Sequence, residues 1–201
     1  IEIVKEHILN NNISLVIVGF KREKTFIEDI FNGSNLSSII RKLNIPVLVI
    51  KTEDKPIYKN ILIPTDLSKA SRNNIKYLIS IFPEANFHIE HYYKAFFEDR
   101  VKLYGFDDEE AHDFVDFYAQ EAEDELNKFI EKLELNSDIK VFTKAKKYLD
   151  IKTMVEESIE YKTIDLLSLS VGTSLSIFSF DLLEHSSKDV IIYRIDEDSL
   201  D

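Results

Sequence analysis

A short apolar strand that turns directly into a helix constrains this chain more than any other stretch. Ile61-Leu62-Ile63 is apolar without alternation, which is typical of a parallel strand covered on both faces. Pro64 has no N–H to donate, so we expect the strand to end there. Oxygen-bearing side chains follow at Thr65, Asp66 and Ser68, and Asp66 or Ser68 is expected to cap the next helix. Open α/β sheets place ligands at this end of a strand.

The composition restricts the class of protein. The chain has 201 residues, of which 44% are hydrophobic and 31% charged, as is ordinary for a globular protein. It has no cysteine, which excludes disulfides and cysteine nucleophiles and fits a cytoplasmic setting. A net charge of −12 disfavours binding to nucleic acid or to an anionic membrane. No apolar run approaches the roughly 18 residues of a membrane helix, and no leader is recognisable.

The remaining sequence alternates between strand and helix patterns. Strands are predicted at 13–18, 46–50, 87–92, 139–143, 164–169 and 190–193. Helices are predicted at 3–8, 36–43, 70–82, 114–133 and 150–160, with the acidic run 107–110 just before the fourth. The fold class is therefore α/β. We expect an open, mostly parallel five-stranded sheet in 59–201, with helices on both faces.

An internal repeat divides the chain. Eight residues recur, identical or similar, 151 positions later without a gap: Ile3, Val4, Glu6, Ile8, Ile13, Leu15, Val16 and Val18. Six more recur at an offset of 143: Ile39, Ile40, Val47, Leu48, Val49 and Lys51. The second copy is thus 8 residues shorter (151 minus 143) in the loop between these blocks. Residues 1–51 match the last third of the unit 59–201, with 52–58 as a linker.

The strand and turn at 59–72 resemble the opening of a universal stress protein domain, which reads valine or isoleucine, leucine, proline, threonine or valine, aspartate, one residue, serine. The resemblance implies a tandem member of that family, with a complete second domain at 59–201 and the C-terminal part of a first at 1–51. Since the chain begins at Ile1 and its one methionine is Met154, we expect a longer parent protein. The partial copy must dock on the complete one or on another chain.

Nucleotide-binding members of the family carry a loop that resembles G-x-x-G, nine residues, then G-S or G-T, whose last pair opens a phosphate-binding helix. The first copy has Gly19 in the first position, Arg22 instead of the second glycine, and Gly33-Ser34 one residue late. The second copy has Ser170 opposite Gly19 and a shortened loop, so its phosphate site is predicted to be lost.

Two alternatives stay open at each candidate site. Gly33-Ser34 is either a residual phosphate site or an ordinary helix cap. By resemblance, Asp66 and Tyr92 flank an adenine, with Thr65 beside them; otherwise Thr65-Asp66 is only a helix cap at a sheet edge.

Other residue clusters give weaker signals. No histidine pair or H-E-x-x-H motif indicates a metal site, and no nucleophile elbow indicates a catalytic serine. The lysines at 144, 146 and 147 are predicted to form a solvated loop, with an anion site as the alternative. The aromatic residues of 92–118 are predicted to be core, or else a partner surface.

The resemblance implies a non-enzymatic stress-response or regulatory protein, without a catalytic residue, metal or required cofactor, whose second domain does not hold ATP normally. One alternative is a nucleotide-dependent switch or weak ATPase with its site in the first domain. Another is an assembly module: a homodimer or an intramolecular pseudo-dimer through the last strands, 47–50 and 190–193.

Overall fold

The computed structural model describes residues 2–19, 40, 43, 45–52, 57–94, 108–147, 150–171, 182–183 and 185–194. Its strands are β1 Val16–Gly19, β2 Val47–Ile50, β3 Asn60–Thr65, β4 Asn86–Tyr93, β5 Lys140–Lys147, β6 Leu166–Val171 and β7 Asp189–Arg194. Its helices are α1 Glu2–Asn10, α2 Lys69–Ile81, α3 Asp108–Glu131 and α4 Ile151–Tyr161. Within the described residues, no helix combines the length and apolar character that a membrane crossing requires.

The strands form one seven-stranded sheet in the order β1-β2-β7-β6-β3-β4-β5. Neighbouring strands are parallel throughout, except that β2 and β7 are antiparallel, with Leu48 opposite Ile191. The α/β class and the mostly parallel five-stranded sheet of 59–201 are confirmed. The two strands of residues 1–51 extend that same sheet through β2. Because the direction reverses between β2 and β7, β1 runs opposite to β3.

Two apolar cores cover the two faces of the sheet. One contains Leu62, Leu167 and Ile192 and is covered by α4 through Val155 and Ile159. The other contains strand residues such as Ile61 and Phe87 and is covered by α2 and α3. The central strands alternate between these cores, as the unbroken apolar run at 61–63 predicts.

Several predicted boundaries differ from the observed ones. The prediction that Pro64 ends the strand is wrong, because the ladder with β4 continues through Pro64 and Thr65. The ladder with β6 does stop earlier, at Leu62. The prediction that the basic cluster forms a loop is also wrong, because Lys144, Lys146 and Lys147 all lie in β5. The acidic residues 108–110 lie inside α3 and not before it, because the helix begins at Asp108.

The long aromatic segment is core only in part. Tyr92, Tyr93 and Tyr118 are half-buried, and Tyr92 packs against one of the cores, but Phe114 is 43% exposed and Phe117 is 62% exposed. These two side chains lie toward the start of α3. The aromatic residues 96, 97, 104 and 106 lie outside the described residues.

The two copies of the repeat are buried to different degrees. Val155 in α4 is fully buried, whereas its counterpart Val4 in α1 is 37% exposed. On the strands, β6 pairs with both β7 and β3, whereas β1 is the outermost strand and pairs with β2. The difference in burial agrees with the sheet order of the described strands, because β3 and its helix cover β6, whereas no described strand pairs with the outer side of β1.

A buried carboxylate anchors the linker between the copies. Asp189 accepts hydrogen bonds from the backbone N–H groups of Lys51 (2.7 Å) and Thr52 (3.0 Å) and from the hydroxyl of Tyr58 (2.7 Å). The Lys51 ammonium donates to the carbonyl oxygens of Leu183 and Ser186. The linker is therefore fixed to the start of β7 at both of its ends.

Candidate functional site

The turn after β3 is closed by its own side chains. Asp66 Oδ1 accepts hydrogen bonds from the Ser68 N–H at 3.0 Å and from the Ser71 hydroxyl at 2.6 Å. Ser68 Oγ accepts from the Ser71 N–H at 3.1 Å, so Ser68 is the N-cap of α2. Thr65 Oγ1 accepts from the Leu67 N–H at 3.0 Å. The polar atoms of this turn thus stabilise the turn itself.

The backbone and the charge state of the turn agree with that role. Leu67 has a φ of 62°, a left-handed conformation that costs a residue with a Cβ about 1 kcal/mol. Its side chain packs against the core under α2, which offsets this strain. Burial raises the pKa of Asp66, but hydrogen bonds from Ser68 and Ser71 outweigh it and hold the pKa below its ordinary value. Asp66 is therefore an ionised acceptor at neutral pH.

The predicted site residues do not form one pocket. Thr65 and Asp66 lie at the carboxyl end of β3, and Gly19 is the last residue of β1. Three strands, β2, β7 and β6, lie between β1 and β3 in the sheet. Since β1 runs antiparallel to β3, the carboxyl ends of these two strands, where Gly19 and Asp66 lie, point in opposite directions. The Tyr92 hydroxyl donates to Glu90. Gly33 and Ser34 lie outside the described residues.

Ser170, which stands where the resemblance places the first glycine of the phosphate loop, also makes a hydrogen bond within the fold. Ser170 on β6 and Ser168, two residues before it, each accept a hydrogen bond from Asn74 Nδ2 on α2, at 2.9 and 3.0 Å. Asn74 and Ser168 are fully buried. Asn74 Oδ1 is buried without a hydrogen-bond partner. Ser170 thus joins β6 to α2 in the interior of the fold.

A buried carboxylate on the other face of the sheet was missed by the sequence analysis. Glu90 of β4 is fully buried, and its oxygens lie 3.0 Å from Lys146 Nζ and 2.5 Å from Lys162 Nζ. The Ser158 hydroxyl on α4 lies 2.9 Å from Glu90 Oε2. Burial raises the pKa of Glu90, but hydrogen bonds from Lys162, Tyr92 and Lys146 outweigh it and lower the pKa below 4.5.

The neighbours of Glu90 respond to its charge. Burial, followed by the negative charge of Glu90, raises the pKa of Tyr92. His88, also on β4, stacks on Phe142 of β5 with a ring separation of 5.0 Å. Burial and the nearby Lys162 ammonium lower the pKa of His88, so its imidazole is neutral at neutral pH. The cluster therefore holds one anionic and two cationic groups.

An open cleft of about 590 Å³ lies beside this cluster and is lined by Lys146, Glu157, Ser158, Glu160 and Lys162. The sequence does contain a signal for it. His88, Glu90 and Tyr92 alternate with the apolar residues Phe87 and Ile89, so β4 presents a polar row on one face. That row is recognisable as an ion cluster only with the register of β5, which places Lys146 beside Tyr92.

In the described part of the chain, no group of three or more His, Asp or Glu side chains could hold a metal.

Comparison with known proteins identifies the fold. No protein-family model matches the sequence, and no curated protein sequence matches it significantly. A universal stress protein from Archaeoglobus fulgidus DSM 4304 superposes with a TM-score of 0.61 at 15% identity, over 98% of this chain and 66% of that one. A functionally unknown protein from Pseudomonas aeruginosa PAO1 gives 0.61 at 11% identity, over 94% and 65%. Universal stress protein UspA from Lactobacillus plantarum gives 0.50 at 20% identity, over 68% and 98%.

The chain therefore has the universal stress protein fold, and the fold implied by the resemblance is confirmed. It spans 66% and 65% of the length of the first two of these structures, which is just under two thirds.

Proposed function

We propose that this chain is part of a non-enzymatic stress-response or regulatory protein of the universal stress protein type, built from two copies of one unit. In this proposal the second copy, 59–201, does not hold ATP with normal affinity. The observation that carries it is the closed turn after β3. The Oδ1 atom of Asp66 already accepts hydrogen bonds from Ser68 and Ser71, so this carboxylate serves the cap of α2.

Two further observations support the loss of an ATP site. The Tyr92 hydroxyl is directed to Glu90, and Ser170 is hydrogen-bonded to Asn74 where the resemblance places the first glycine of the phosphate loop. A nucleotide at this edge would have to break contacts that hold α2 and α4 on the sheet. Each buried polar group left unpaired in this way costs about 1–3 kcal/mol.

Equilibrium dialysis of ATP against this chain tests the proposal. We expect no saturable binding at millimolar ATP, and no difference between the wild type and Asp66→Ala. Saturable binding that Asp66→Ala abolishes would show that the turn after β3 is a working nucleotide site.

A nucleotide-dependent switch or weak ATPase with its site in the first copy is the second candidate. The geometry of Gly19 favours it: a Cβ built there has no other atom within 4 Å, so packing within the described residues does not require glycine. Close approach of a ligand to the backbone would require it. ATP binding by a form extended before residue 1, but not by this chain, would support this candidate. The matched variant Gly19→Val should then abolish that binding.

We further propose that the two copies form an intramolecular pseudo-dimer through their last strands. The antiparallel pairing of β2 with β7 supports this reading, as does the match of 98% of UspA from Lactobacillus plantarum to 68% of this chain. The chain has no native cysteine, so a Leu48→Cys/Ile191→Cys variant can form one disulfide between directly opposite residues. An oxidised monomer on a non-reducing gel is expected; a covalent dimer would show that the last strands pair between chains.

A further inference from the structure

The ion cluster of Glu90, Lys146 and Lys162 faces a cleft that the proposed function does not use. The cleft is bordered by α4, which covers the face of the sheet opposite to α2 and α3. The turn after β3 leads into α2, so the cleft is not part of that turn. Phe142, on the same face of β5 as Lys146, is 52% exposed, which shows that this end of the face is open.

Within the described residues, the hydrogen bonds of the two lysines use only some of their N–H donors. Lys146 Nζ contacts Glu90 Oε2 at 3.0 Å and Ser158 Oγ at 2.5 Å, and Lys162 Nζ contacts Glu90 Oε1 at 2.5 Å. An ammonium group has three N–H donors, so one on Lys146 and two on Lys162 are left. The lysine side chains are 18% and 19% exposed and both line the cleft. The unused donors are therefore accessible from the cleft.

The charges of the cluster are unbalanced. Two ammonium groups share a single buried carboxylate, which leaves one positive charge at the base of the cleft. Glu90 holds both ammonium groups in place, because a fully buried carboxylate cannot lose its cationic partners without a large desolvation cost. Two fixed cations with spare donors form a preorganised anion site. The exposed carboxylates of Glu157 and Glu160 lie at the rim and oppose an anion.

We propose that this cleft binds a compact anionic group, a phosphate or a carboxylate, on the ammonium groups of Lys146 and Lys162. The anion accepts hydrogen bonds from the N–H donors of Lys146 and Lys162 that no described residue takes up, and these fixed donors, not a net positive charge of the cleft, hold it. Ser158 positions Lys146 but is not itself a ligand, because it is 1% exposed and its hydroxyl is bonded to Glu90 or to the Met154 carbonyl oxygen.

Isothermal titration of the whole chain with inorganic phosphate and, separately, with acetate tests this site. Saturable binding in the millimolar range is expected for at least one probe. The stronger probe identifies whether the natural group is a phosphate or a carboxylate. Lys162→Gln should weaken that binding about tenfold, since a charge-assisted hydrogen bond is lost. The matched control is Lys128→Gln, an exposed lysine of α3 on the opposite face of the sheet, which should leave the affinity unchanged.

A second pair of variants tests the site even if Lys162→Gln fails to fold. Glu157→Gln and Glu160→Gln change exposed residues only, and each should tighten anion binding about twofold by removing a nearby negative charge. The proposal is overturned if neither probe binds saturably. It is also overturned if the rim variants leave the affinity unchanged or if Lys128→Gln weakens it as much as Lys162→Gln.

Discussion

Tyr58, in the segment between the two copies, donates a 2.7 Å hydrogen bond to the buried carboxylate of Asp189 at the start of β7. Tyr58 also makes an edge-to-face contact with Phe82, at 5.5 Å between ring centroids. Because the same carboxylate accepts from the backbone of Lys51 and Thr52, one side chain fixes the linker to the sheet. The two copies are thus joined by side-chain contacts as well as by the β2–β7 ladder.

Asp189→Ala should lower the free energy of unfolding by about 3 kcal/mol, because it leaves buried donors of three residues without an acceptor. Asp189→Asn is the matched control, since it keeps one acceptor oxygen and should cost about 1 kcal/mol. Urea unfolding monitored by circular dichroism measures both. Equal losses for the two variants would mean that the negative charge, and not the acceptor geometry, anchors the linker.

Acidification should destabilise the protein through Glu90. Its pKa in the folded state lies below the ordinary 4.5, so its contribution is complete above that pH and is lost as the pH falls through the folded value. Glu90→Gln should cost about 3 kcal/mol at pH 7 and flatten the decline in melting temperature below pH 4.5. His88, Lys146 and Lys162 face Glu90, and the lowered pKa of His88 means that its imidazole gains a proton only as the pH falls. The exposed Glu125→Gln is the control and should follow the wild-type profile.

Ser68→Ala should lower the stability by about 1 kcal/mol, because the N-cap acceptor of α2 is lost. Ser71→Ala should cost a comparable amount, since it removes the 2.6 Å hydrogen bond to Asp66. Thermal unfolding measures these losses. Full stability in Ser68→Ala would contradict the role of the turn as a helix cap.

Asn74→Ala should cost about 2 kcal/mol, because it opens a cavity and leaves two hydroxyl groups without their donor. A triple variant, Asn74→Leu with Ser168→Ala and Ser170→Ala, replaces the polar group and both partners by apolar ones. It should recover most of the loss. If the triple variant is less stable than Asn74→Ala, the cost comes from packing and not from unpaired polar groups.

Local sequence patterns predicted the elements well where one face or one run was clearly apolar. The run at 61–63, the apolar spacing of 114–133 in α3 and the repeat at offset 151 led to the correct class and to the strands of both copies. The end of β3 was predicted too early. A proline lacks one N–H donor, so it interrupts pairing only with the neighbouring strand that this N–H would face. Only the ladder with β6 stops before Pro64.

The candidate site was predicted less well, because its residues meet only through the sheet register. Glu90, Lys146 and Ser158 are far apart in the sequence, and each alone is an ordinary polar residue. The capping alternative for Asp66 agrees with the hydrogen bonds of the turn, but whether a nucleotide binds there stays a prediction. Gly33 and Ser34 lie outside the described residues, so the first-copy alternatives also stay predictions.

The outer edge of β1 has a practical consequence. Ile17 on this strand is 63% exposed, and Ile3 and Leu9 of the adjoining α1 are 82% and 78% exposed. Among the described residues no strand pairs with the outer side of β1, and such an edge beside apolar side chains is a template for pairing with strands of other molecules. Solutions of this chain should therefore aggregate as the protein concentration is raised. Ile17→Lys should reduce this aggregation, as measured by light scattering, because a charged residue opposes strand pairing at an edge.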